Sequence, residues 1–317
     1  MNRFLALCIL LALFLSCGNP SAGSFENLSE NTKAPRIFTR ISAEQKEFAA
    51  RIDLFFTKLH NNGSFNGSIL VAKAGRIIYQ KSLGLLDKKK NIPLSDTSMF
   101  QLASVSKVLT ATAVLMLHER GALDIEKPFD FYFPDFPYPG VTVRELLNHR
   151  SGLPNYIYCL NDEICRPDHR MTNSAMYNSM VLRKPAPYLR PGRRFNYCNT
   201  NYALLPLLVE KVSGMSFSSF MKEEIFEPLG MRNSATIDEI DLSSSKVTKP
   251  YDNRWRPVNF DASDYVLGDK SFYSTPYDLF IFSEALYQNK IIKPETQELA
   301  YTAFSKERRQ TNYGFGW

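Results

Sequence analysis

The chain has 317 residues, 44% hydrophobic and 22% charged, the balance of an ordinary soluble globular protein with a sizeable core in one large domain or two modest ones. Its formal charge of +6, from 38 basic and 32 acidic residues, is scattered along the chain. The densest run, Lys88-Lys89-Lys90, follows Asp87 in a turn and reads as solvated rather than as a nucleic-acid patch.

Residues 1–16 read as a signal peptide: Arg3 precedes an apolar stretch from Phe4 to Leu15, short for a membrane span but suited to a secretory core. The stretch stops at Ser16-Cys17-Gly18, which resembles a bacterial lipobox, although Phe14 stands where Leu is usual. That resemblance implies that Cys17 becomes the lipidated first residue of an exported, membrane-anchored periplasmic or cell-envelope protein. Residues 17–41, rich in Ser and Asn, read as its tether, and 42–317 as the folded domain.

Ser42 and Gln45 fit a capping box, and Phe48, Ile52, Phe55, Phe56 and Leu59 recur at the spacing of a core-facing helix. Ser68–Lys73 and Arg76–Ser82, separated by Ala74-Gly75, read as a hairpin. Gln101–Glu119 predicts a long apolar helix and Val143–His149 a short one. The polar, aromatic stretch Pro154–Gly192 has no clear element. Helices are expected over Asn201–Val212, Phe217–Phe226 and Pro276–Gln288, the last started by Ser274 and Thr275. A hairpin followed by helices and weak strand signals gives an α+β class, helices packed on or inserted into an antiparallel sheet.

Cys159 and Cys165 flank a short loop and either pair or remain two thiols. The four histidines (His60, His118, His149, His169) lack metal-ligand spacing, so neither a metal nor a cofactor is expected. Gly-x-Ser-x-Gly, His-Glu-x-x-His and phosphate-loop patterns are absent from the sequence.

Ser-x-x-Lys occurs at Ser104/Lys107, Ser219/Lys222 and Ser243/Lys246, and only the first stands at the entry to a long apolar helix. Residues three apart share a helix face, and a helix start offers free N–H groups and a positive dipole end. Both favour a serine nucleophile, though a capping Ser with a surface Lys has the same pattern. Tyr197-Cys198-Asn199 lies between Pro191-Gly192 and a helix, on a turn from which Tyr197 can relay protons and Asn199 bind a substrate amide. An Asx turn with a packed Tyr reads the same way.

Taken in order, Ala103–Lys107, Asp124–Pro134, Leu146–Pro154, Pro191–Asn199, Glu227–Met231, Ser274–Leu279 and Tyr313–Trp317 resemble the serine β-lactamase-like family. That family includes class C β-lactamases, penicillin-binding proteins and D-alanyl-D-alanine carboxypeptidases, and the likeness covers about Phe65 to Trp317. The resemblance implies a β-lactamase/transpeptidase-like fold. It makes Ser104 the nucleophile, Lys107 and Tyr197 a coupled acid–base pair, Asn199 a substrate-orienting group, and the Ser104 N–H half of an oxyanion hole. Cys198 stands where Ser is common and is expected to pack as a small residue; Arg150, in place of the usual Thr, either shapes the cleft or faces solvent.

The family's third motif, Lys/His-x-Gly on a late strand, matches only Lys73-Ala74-Gly75, which reads as the hairpin turn. The expectation is a fragment or a degenerate relative without its C-terminal strands, nearly inactive and poorly stable as written. Two functions follow: an exported serine hydrolase acting on β-lactam, D-alanyl peptide or ester substrates, or a non-catalytic binding lipoprotein of the same fold. The partners expected are a small-molecule or peptidoglycan-derived substrate and, through the anchor, a membrane.

Overall fold

The computed structural model describes residues 34–160, 170–304 and 313–317. The leader, Cys17, Cys165 and the Cys159–Cys165 pairing lie outside the described residues or depend on one that does. Among the described residues, no helix is long and apolar enough to cross a membrane.

The chain begins with α1 (Ala43–Asn61), whose Ser42/Gln45 capping box forms as expected. Its apolar stripe does not enter a core. No α1 residue is buried, and Phe48 and Phe55 are about half exposed. Behind the helix stands a two-stranded sheet, β1 (Gly67–Lys73) and β2 (Arg76–Leu83), to which Asp53 fastens it by accepting from Tyr79 Oη (3.0 Å) and Lys81 Nζ (2.5 Å). A hairpin covers one side of a helix, so the stripe stays half open. Ala74 and Gly75 both have positive φ (51° and 69°), the geometry of a two-residue hairpin turn, so Lys73-Ala74-Gly75 is a turn and not a cleft strand.

After the short pair β3 (Leu85–Asp87) and β4 (Ile92–Pro93), a three-stranded antiparallel sheet forms from distant pieces, β5 (Phe100–Gln101), β6 (Ala235–Thr236) and β7 (Phe272–Ser274), in the order β5-β7-β6. The expected helix start at Gln101 is thereby corrected. Gln101 pairs with Tyr273, a 3₁₀ turn covers Ala103–Val105, and α2 runs over Ser106–Glu119.

Helices build the rest: α3 (Phe129–Tyr132), α4 (Val143–Leu147), α5 (Tyr156–Cys159), α6 (Asn173–Arg183), α7 (Asn199–Ser213), α8 (Phe217–Met221), α9 (Pro276–Tyr287) and α10 (Pro294–Tyr301). α5 and α6 fall in the stretch Pro154–Gly192, where no element was expected. Both are started by side-chain caps, Asn155 and Thr172, rather than by apolar periodicity. α8 passes through a π turn (Lys222–Phe226) into one last helical turn. Thr275 caps α9, as expected.

The core centres on α2 and α7, which pack together with Leu109–Leu117 and Thr200–Val209 buried. Pro206 lies inside α7 and has no N–H for the Tyr202 carbonyl four residues before it. Gly268 fits there: a Cβ on it would come within 2.5 Å of both Pro206 Cγ and Tyr202 O, and its φ of +93° also favours glycine. Thr110 Oγ1 donates to the Gly268 carbonyl at 2.7 Å, so the strip Leu267–Lys270 is held between the two core helices.

Candidate active site

Ser104 is exposed in the 3₁₀ turn that leads into α2. Leu102 N donates to Phe272 O (2.8 Å) and Phe272 N to Ser106 Oγ (3.3 Å), which pins the turn to β7 from both ends. Ala103, just before the serine, has φ +45°, a left-handed conformation that costs a non-glycine residue energy and is over-determined here by those bonds.

Lys107, one turn further, is only 1% exposed. Its Nζ lies within hydrogen-bond distance of Ser104 Oγ (3.2 Å), Asn199 Oδ1 (2.9 Å) and the Asp269 carbonyl (2.8 Å). Tyr197 Oη donates to the same Ser104 Oγ at 2.8 Å from the opposite side, and its ring lies 5.0 Å from Lys107 Nζ. All four residues singled out in the sequence, Ser104, Lys107, Tyr197 and Asn199, therefore meet. Ser219/Lys222 and Ser243/Lys246 contribute nothing to this cluster. Asn199 is the first residue of α7, two positions earlier than expected, with Cys198 as its N-cap. From there its carboxamide holds the lysine rather than projecting freely into the cleft.

Cys198 packs as a small buried residue, and burial pushes its thiol up. Arg150 does not simply face solvent: its guanidinium donates to Gly192 O (2.9 Å) and Phe304 O (3.3 Å), tying down the loop before Tyr197.

Three residues that were not singled out complete the surroundings. His149 is fully buried at 4.3 Å, ring to ring, from Tyr197. Its Nδ1 faces Cys198 N (3.2 Å) and Asn201 Nδ2 (3.0 Å). A backbone N–H can only donate, so Nδ1 accepts and the ring proton sits on Nε2. Burial, with the neighbouring Lys107 adding to it, holds this imidazole well below its usual range, so it stays neutral. Asp269 is fully buried, and burial lifts its carboxyl to about 6 despite Lys270, Lys107 and Tyr156, which all favour the ionised form. Tyr156 donates to Asp269 Oδ2 at 3.0 Å and is itself raised by burial and by that carboxylate. His149 belongs to the segment Leu146–Pro154, but its buried setting has no sequence signal. Asp269 and Tyr156 carried none at all.

The arrangement is one that can activate a nucleophile: an accessible hydroxyl with two proton-carrying groups on its oxygen, one of them oriented by further acceptors. Among the described residues, no three His, Cys, Asp or Glu side chains are placed to hold a metal ion.

A family profile described as Beta-lactamase matches residues 52–317. Penicillin-binding protein 4* of Bacillus subtilis (strain 168) is 34% identical over 84% of this chain and 62% of its own length. The chain thus spans about 62% of that relative. Among solved structures, the octameric penicillin-binding protein homologue from Pyrococcus abyssi aligns with a TM-score of 0.72 at 27% identity, over 84% of this chain and 64% of its own. A penicillin-binding protein from Bacillus halodurans aligns at 0.70 and 25% identity, over 82% and 81%.

Proposed function

The chain belongs to the beta-lactamase family and has its serine β-lactamase/transpeptidase-like fold, and from that premise we propose that it is a serine acyl-transfer hydrolase working through an acyl intermediate on Ser104. The observation that carries the reading is the pair of hydrogen bonds that Lys107 Nζ and Tyr197 Oη make with one exposed oxygen.

In this reading Ser104 Oγ attacks an amide, β-lactam or ester carbonyl, and its proton passes to the Lys107–Tyr197 pair. The Oγ–C bond forms and a tetrahedral oxyanion develops beside the N–H groups at the helix start. Tyr197, the more exposed of the two, returns the proton to the leaving nitrogen or oxygen as the old bond breaks. Water then enters, gives its proton to the same pair, and frees the acid and Ser104. The coupled pair is preferred to a single base because both groups touch the oxygen that loses the proton. The substrate classes that fit are β-lactams, D-alanyl peptides of cell-wall origin and small esters.

The N-terminal segment supports a cellular setting for this activity, with export through residues 1–16 and lipidation at Cys17 tethering the domain to the membrane by residues 17–41. A panel of a chromogenic cephalosporin, a D-alanyl-D-alanine peptide and a nitrophenyl ester tests the enzyme reading. Turnover of one class, absent from Ser104→Ala, is the expected result. Binding without release of product from any class would favour a non-catalytic protein instead.

A further inference from the structure

We propose that Asp269 is a positioning residue for Lys107, its buried carboxylate serving as the counter-charge against which the lysine takes up the Ser104 proton; this rests on the acyl-transfer reading above. Asp269 meets the site twice. Its main-chain carbonyl accepts from Lys107 Nζ at 2.8 Å, and its side chain turns into the core, where Oδ2 accepts from Tyr156 Oη at 3.0 Å. Oδ1 is buried with no hydrogen-bond partner among the described residues. A buried carboxylate with an empty acceptor is costly unless an opposite charge compensates it.

Lys107 Nζ is held on the main-chain carbonyl of the same residue and Lys270 follows it in the chain, so two cations act on this carboxyl. Lys270 is engaged elsewhere, with Ser263 Oγ at 2.5 Å and Asp264 Oδ1 at 3.9 Å. Lys107 touches three uncharged oxygens, and among the described residues no carboxylate contacts its amine directly. Asp269 is thus the acid placed to answer a positive charge on Lys107. When Ser104 attacks, its hydroxyl proton passes into the Lys107–Tyr197 pair, and positive charge on the Lys107 amine is favoured by a fixed negative charge in a low-dielectric core. A third group does the same for the base in a catalytic triad.

The groups facing this carboxyl are Lys107 from α2, Tyr156 from α5 and Lys270 beside it. Asp261 and Asp264 act on Tyr156 from the neighbouring turn. His149, across Lys107, is held neutral by its burial. With its carboxyl lifted to about 6, Asp269 loses its charge within the mildly acidic range, and the counter-charge goes with it.

The test is the rate at which a fluorophosphonate labels Ser104 as a function of pH, in the wild type, Asp269→Asn and Tyr156→Phe. In the labelling step the Oγ–P bond forms, fluoride leaves, and the hydroxyl proton departs through the Lys107–Tyr197 pair. The wild-type rate is expected to fall as pH drops through about 6. Asp269→Asn should label roughly tenfold more slowly at mildly alkaline pH, the effect of about one pKa unit of lost electrostatic support, and should lose the inflection. Tyr156→Phe removes a donor that favours the ionised carboxyl and should move the inflection to higher pH. A wild-type rate and inflection in Asp269→Asn overturns the proposal. So does a slower variant that keeps the inflection, because a merely structural residue would give that result. Should Asp269→Asn fail to fold, an unmoved inflection in Tyr156→Phe overturns the proposal by itself. A wild type that never labels would instead bring down the acyl-transfer reading, and this inference with it.

Discussion

Helices α1 and α2 both carry apolar residues at helical spacing, and they meet opposite fates. α1 leans on one hairpin and buries nothing completely, with Leu54 72% exposed. α2 is closed in by α7 and by the strip Leu267–Lys270, and nearly every residue from Ser106 to Leu117 is buried. Periodicity identifies which face of a helix would be covered; only the tertiary neighbours decide whether anything covers it. The proposed chemistry belongs to the covered helix, because a lysine can be stripped of water and surrounded by chosen acceptors only where the packing is complete.

The largest effect expected from this contrast is at the site. Lys107→Met keeps the volume of the buried stem and removes the amine from Ser104, Asn199 and Asp269, so Ser104 labelling should slow by roughly 10²–10⁴-fold, the range for a lost acid–base group. A rate within about threefold of wild type would mean that Tyr197 alone activates the serine.

The packing itself comes next. Leu115→Ala, in the sealed centre of α2, should cost about 2–5 kcal/mol in denaturant unfolding. Leu54→Ala on α1 should stay within about 0.5 kcal/mol. Equal losses would erase the distinction between the two helices.

A third effect joins packing to chemistry. The Asp269 carboxyl is raised in the folded state, so the native protein holds a proton there that the unfolded chain has already released between about pH 4 and about pH 6. Stability from this group is therefore complete below that window and is lost as pH rises through about 6, by up to about 3 kcal/mol. Asp269→Asn should abolish this slope and be the more stable protein at neutral pH while labelling more slowly. Parallel stability curves for the two proteins across the window would show that the buried carboxyl does not titrate there.

Spacing alone left Ser104/Lys107 open to a capping serine and Tyr197/Asn199 open to an Asx turn; the ordered run of motifs shared with the serine β-lactamase-like family singled the four residues out. The hairpin, its two-residue turn and the α1 capping box were legible from local pattern. Asp269 and Tyr156 were not. They reach Lys107 and each other across 162 and 113 residues of chain, as a buried acid and a buried phenol with no local pattern around them. The helices α5 and α6 escaped notice because their starts rest on single capping side chains within a polar stretch, and the exposure of α1 because spacing alone does not reveal what stands opposite.

The most direct test of the central claim is the intact mass of the protein after incubation with a penicillin, beside its Ser104→Ala variant. A single adduct of the whole penicillin mass on the wild type, missing from the variant, is the predicted result and would place the acyl group on Ser104. No adduct on a folded wild type, or an equal adduct on both proteins, would contradict it.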